Sequence, residues 1–153
     1  MGLFSRTPAA PFISEAENKN IVEAIRQAEQ KTSGEIRVYI EGRCKFVDPL
    51  DRAAELFHSL NMDRTAERNA VLVYVAVKDQ QLALYADRGI HEKTGPDFWK
   101  REVGLMLSQF NRSNYAQGTE MVIRKIGEAL YQHFPYNRET DQNELSDDIV
   151  FGQ

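Results

Sequence analysis

Five oxygen-bearing side chains could together do chemistry in this chain: Glu35, Asp63, Asn69, Asp87 and Glu92. Carboxylates and an amide oxygen drawn from separate segments are the donors that a hard cation such as Ca²⁺ selects, which takes six to eight oxygens. Asp87 leads the set, because it ends an apolar segment two residues before Gly89, and Asn69 stands opposite it if the intervening turn is short. Asp63 and Glu35 follow as third and fourth ligands, with Glu92 and Asp97 weaker. Each has a plainer reading. Asp87 can pair with Arg68 or Arg88 or cap a turn, Asn69 can satisfy backbone groups at a strand start, Glu35 can face solvent, and Asp97 can favour a helix dipole. Other chemistry is sparse. His91-Glu92 lacks the second histidine that a zinc protease helix needs, and neither a phosphate-binding glycine loop nor a G-x-S-x-G elbow is present. Cys44, the one cysteine, has no nucleophile motif around it and no partner for a disulfide within the chain.

The elements that must position these residues follow from periodicity. Ser14 and Glu17 form a capping-box pattern before a helix with Ile21, Val22, Ile25 and Ala28 on one face, ending at Thr32-Ser33-Gly34. Glu35 to Glu41 alternates with period two and reads as a strand with one buried face. Asp48-Pro49 restarts a helix whose stripe runs through Ala53, Ala54, Leu56, Phe57 and Leu60. Ala70 to Val77 is the continuous apolar run of a strand buried on both faces, and Gln81 to Ala86 returns as the second half of a hairpin. Gly95-Pro96-Asp97 opens a helix carrying Phe98, Trp99, Val103, Met106 and Phe110. Asn111 to Asn114 breaks it, and a last helix from Tyr115 to His133 stops before Pro135.

That order implies an α/β fold, helices layered on a small mixed sheet. Strand, crossover helix and strand make a right-handed parallel unit, with the hairpin strand antiparallel beside it. Residues 33–35, 68–69 and 87–89 then share one end of the sheet. This is why the five oxygen donors are expected to converge.

The 153 residues suffice for one domain with its own core, and the composition (42% apolar, 27% charged) is that of an ordinary globular chain. From Tyr136 onward Arg138 stands against Glu139, Asp141, Glu144, Asp147 and Asp148, which accounts for the whole formal charge of −4. A neutral body with an acidic end argues against nucleic-acid binding. We read residues 1–13 as an N-terminal extension, 14–135 as the folded domain and 136–153 as an acidic, disordered tail. The alternative is that Ile149, Val150 and Phe151 dock on a partner or on the domain's own sheet. With no long apolar run and no secretory pattern at the start, the expectation is a soluble, cytoplasmic chain.

Thr32-Ser33-Gly34-Glu35-Ile36, then Arg68-Asn69-Ala70-Val71-Leu72-Val73-Tyr74-Val75, then Leu84-Tyr85-Ala86-Asp87-Arg88-Gly89-Ile90, resemble the three signature segments of TPM domains. Phe98-Trp99 and Tyr115-Ala116-Gln117-Gly118 extend the likeness over residues 14–135. The resemblance implies a three-layer α/β/α sandwich around a small mixed sheet. It also implies the activities met in that family, named for a thylakoid lumen protein, a photosystem II protein and a nematode receptor modulator. Some members bind calcium at an acidic cluster, and acid phosphatase activity is attributed to the plant lumenal member. Three functions are therefore expected to compete. The leading one is a module for Ca²⁺ or another divalent cation. The second is a metal-dependent acid phosphatase with Arg68 and Arg88 clamping the phosphoryl group. The third is an adaptor that takes a protein partner on the sheet edge or the acidic tail.

Overall fold

The computed structural model describes residues 12–46, 48–110, 114–136 and 146–152. Residues 1–11 of the expected extension over 1–13, the break at 111–113, the side chain of Phe110 and the acidic stretch 137–145 lie outside the described residues, whereas Ile13 is buried in the core. Along the rest run α1 (Glu15–Glu29), β1 (Glu35–Glu41), α2 (Pro49–Ser59), β2 (Ala70–Ala76), β3 (Gln81–Ala86), α3 (Arg88–Thr94), α4 (Pro96–Phe110), α5 (Tyr115–His133) and β4 (Val150–Phe151).

Local chemistry starts these helices where the sequence places them. Ser14 Oγ accepts from the Glu17 amide at 3.1 Å, and Glu17 Oε1 accepts from the Ser14 amide at 2.8 Å, closing the capping box of α1. Asp48 accepts from the Leu50 amide at 2.9 Å, and Pro49 begins α2 without wasting a donor.

The sheet order is β3-β2-β1-β4. Strands β1 and β2 are parallel, in register from Glu35↔Ala70 to Glu41↔Ala76, and β3 is antiparallel to β2 from Val71↔Ala86 to Ala76↔Gln81. On one face Ile36, Val38, Ile40, Val71, Val73 and Val75 meet residues of α1, α4 and α5 such as Ile21, Ile25, Met106 and Ile126. On the other, Leu72 and Tyr74 meet Ala53, Leu56 and Phe57 of α2 and Met62. The α/β/α sandwich is thus present, and β2, with all seven residues buried, is its centre. Each fully buried Ile or Phe here stabilises the fold by roughly 1.5–3 kcal/mol.

One element goes beyond the sequence reading, and another follows its alternative for the tail instead of the expected disorder. Residues 88–94, expected as a connection, form α3. Only Ile90 of this helix is buried, so no apolar periodicity marks it, and Gly95 ends it with φ 78°, a conformation in which a side chain would be strained. Near the other end of the chain, Val150 and Phe151 add a short parallel strand beside Tyr39 and Ile40. The tail therefore docks Ile149 to Phe151 on the domain's own sheet, with Ile149 buried. No helix among the described residues is long and apolar enough to cross a membrane.

Candidate functional site

The end of the sheet where β1 and β2 begin and β3 finishes is built around Arg68 and Asp87. Arg68 has left-handed backbone geometry, φ 53°, which turns the chain sharply into β2. Its guanidinium grips Asp87 with both arms, Nε to Oδ2 at 2.6 Å and Nη2 to Oδ1 at 2.8 Å. Asp87 is 4% exposed and has further duties. Its amide donates to the Ala70 carbonyl at 2.9 Å, tying β3 to β2, and its Oδ1 accepts from the Arg88 amide at 2.8 Å, capping α3. Gly89 completes the joint. A Cβ there would lie 2.2 Å from the Glu67 carbonyl oxygen and 2.5 Å from that of Arg68, so only glycine lets α3 start this close to the turn.

The first signature segment is equally structural. Thr32 Oγ1 donates towards the Leu130 carbonyl at 3.1 Å and accepts from the Gly34 amide at 3.0 Å, while the Ser33 amide donates to the Phe134 carbonyl at 3.0 Å. The loop before β1 thereby satisfies the Phe134 carbonyl at the end of α5, which Thr32 Oγ1 also approaches, while the Leu130 carbonyl already receives the Phe134 amide.

The five predicted ligands divide among different neighbours. Asp87 and Asp63 both act on Arg68, and Asp63 also stands 3.6 Å from His58 Nδ1. Asn69 is 1% exposed, and its Nδ2 donates to Ser33 Oγ at 3.2 Å, which in turn donates to Glu67 at 2.8 Å. Glu35 is buried and acts on Glu29 at the end of α1. Glu92 is exposed on α3, and Asp97 lies exposed in the first turn of α4. Among the described residues no three His, Cys, Asp or Glu side chains come close enough together to hold a metal ion. Both oxygens of Asp87 already accept hydrogen bonds, so a cation there must first displace the guanidinium. One donor is spare: Asn69 Oδ1 is buried without a hydrogen-bond partner among the described residues.

A second polar cluster, at the opposite end of β1, escaped the sequence reading. Glu41, 5% exposed, receives Arg52 Nε and Nη2, both at 3.0 Å, and the Tyr74 hydroxyl. Burial first, then Glu41, hold the Tyr74 phenol well above its ordinary range, so it remains a donor. Arg52 also reaches Glu55 on its own helix. These groups satisfy one another and fasten α2 to the sheet. The available signal was Glu41, a carboxylate closing an otherwise half-buried strand, with Arg52 eleven residues on.

The TPM domain family model matches residues 7–129. The chain is similar to the BA42 protein of the psychrophilic bacterium Bizionia argentinensis, whose NMR structure superposes with a TM-score of 0.84 at 42% identity, covering 92% of this chain and 96% of that one. The N-terminal domain of cg2496 from Corynebacterium glutamicum is similar at 14% identity and a TM-score of 0.58, covering 78% of this chain and 75% of that one, a likeness of fold. Among curated proteins none matches significantly. With its three signature segments joined as described and its family model matched over most of its length, this chain belongs to the TPM domain family.

Proposed function

We propose that this TPM domain binds a divalent cation, calcium first, at the Arg68–Asp87 end of the sheet, and that the ion takes Asp87 over from Arg68. The observation that supports this reading is the state of Asp87: a buried carboxylate whose counter-charge is a side chain still 32% exposed. A guanidinium with an exposed side can leave, and a carboxylate that remains buried then requires another cation. Asp87 and Asp63 would supply charge, Asn69 its spare Oδ1, and backbone carbonyls and water the remaining oxygens. Glu35 and Glu92, beside Glu29 and on exposed α3, stand outside this set. The bound ion would lock the turn before β2 to the start of α3.

The test is a calcium titration followed by amide NMR on wild type, Asp87→Asn and Arg68→Met. Saturable shifts at residues 33–35, 63–69 and 87–89 are expected, absent in Asp87→Asn. Asparagine still caps α3, so that loss reads the ion and not the fold. Arg68→Met should tighten binding about tenfold or more, because nothing then competes for the carboxylate. No shift at about 10 mM calcium, above the weakest extracellular sites, refutes the reading. Unchanged or weaker binding in Arg68→Met refutes the competition. The same samples, assayed for phosphomonoester turnover, address the acid phosphatase alternative.

A further inference from the structure

Glu102 of α4 stands apart from the clusters around Asp87 and Glu41. It is buried, yet its Oε1 has no hydrogen-bond partner among the described residues. Lys125 and Arg101 act on it through space, and Glu128 adds charge of its own sign, but neither cation donates to that oxygen. A buried carboxylate without a donor costs stability, and costs of this kind gather at functional sites.

Glu102 lines a cleft between α4 and α5, with Leu105 and Met106 on its own helix and Met121, Val122 and Lys125 on the other. Beside the cleft the two helices pack tightly at Gly118, where a Cβ would lie 2.7 Å from Gln109 Cβ. Leu105 and Met121 stand exposed, whereas Met106 and Val122 are buried. The volume enclosed is about 20 Å³. Met121 and Lys125 are unbranched and flexible, so a slender side chain can enter by turning them aside. The entrant that suits these walls has an alkyl stem to lie against Leu105 and Met121 and a cationic tip to reach Glu102.

We propose that the α4–α5 cleft docks an amphipathic protein segment presenting a lysine or arginine among apolar residues. The cation takes Glu102 Oε1 as its partner, and the apolar neighbours cover Leu105 and Met121. Charge complementarity selects this occupant: the carboxylate lacks a donor, and the exposed side chains around it are apolar. The cleft shares no residue with the cation site at Asp87, so either reading can fail alone.

The probe is the synthetic helix LKKLLKLLKKLLKL, titrated into the ¹⁵N-labelled full chain at about 0.15 M salt, which screens exposed charges more than about 8 Å apart. Saturable amide shifts are expected over residues 101–106 and 118–125. Glu102→Gln keeps the shape of the side chain and removes its charge. It should weaken binding at least about tenfold, as expected for losing a hydrogen bond to a charged group. Leu105→Ser, at an exposed position that the fold tolerates, should weaken it too. The companion helix LEELLELLEELLEL, equally apolar and of opposite charge, should leave these amides unmoved. Affinity unchanged in either variant overturns the proposal, as does equal binding of the glutamate helix. Shifts gathered instead on the acidic residues 139–148, or absent altogether, overturn it as well.

Discussion

Glu41→Leu is expected to destabilise the domain far more than the loss of one surface charge would. The substitution leaves the Tyr74 hydroxyl, on a fully buried residue, without its acceptor and takes both Glu41 contacts from Arg52. Breaking a buried pair by removing one partner costs about 3–5 kcal/mol. The Arg52 side chain is 21% exposed and keeps Glu55, which sets the value at the low end, about 3 kcal/mol. Tyr74→Phe alone removes one donor and should cost about 1 kcal/mol. The diagnostic variant is the triple Glu41→Leu/Arg52→Met/Tyr74→Phe, which leaves no orphan and should lie within about 1 kcal/mol of wild type. Urea unfolding followed by the fluorescence of Trp99, the single tryptophan and 6% exposed, measures all three. With a slope of about 2 kcal/mol per molar urea, Glu41→Leu should lower the midpoint by roughly 1.5 M and the triple variant by less than about 0.5 M. A triple variant no more stable than Glu41→Leu would refute the claim that the penalty comes from stranded partners.

Two further substitutions examine the joints of the fold. Gly89→Ala should cost at least about 2 kcal/mol, because the new methyl meets backbone oxygens that cannot rotate aside. A urea midpoint within error of wild type would show that α3 shifts freely. Glu102 is 4% exposed, and burial, partly offset by Lys125 and Arg101, raises its carboxyl. A raised carboxyl weakens the fold as pH climbs past its unfolded value, so Glu102→Gln should gain stability over wild type at about pH 8 relative to about pH 4. An equal difference at the two pH values would refute this.

The strongest elements were legible because each had a local cause. The Ser14–Glu17 box, the alternation of β1 and the unbroken apolar run of β2 each encode their structure within a few residues. So did the meeting of residues 33–35, 68–69 and 87–89, which follows from one parallel crossover and one hairpin. Which of the alternative partners each side chain takes was not legible. Pairing of Asp87 with Arg68 or Arg88, and its capping role, were open alternatives in the sequence; the choice of Arg68 follows from a left-handed turn at that residue, which its type does not announce. The seven residues of α3 bury a single side chain, too few to write a period. Val150 and Phe151 reach the edge of β1 from far along the chain, and their strand follows an acidic stretch whose composition argues for disorder.

The burial of β2 also bears on how this protein fails. Ala70 to Ala76 is a seven-residue run without charge, proline or glycine, rich in valine, and the fold conceals it on both faces and along both edges. Set free, such a segment has the makings of a cross-β zipper. Arg68 and Asn69 before it, and Lys78 and Asp79 after it, are the polar gatekeepers that flank it. Opening of the β3 hairpin strand would therefore bare an aggregation template before the rest of the core was lost. On that account, heating at high protein concentration should end in precipitate, while dilute urea unfolding remains reversible.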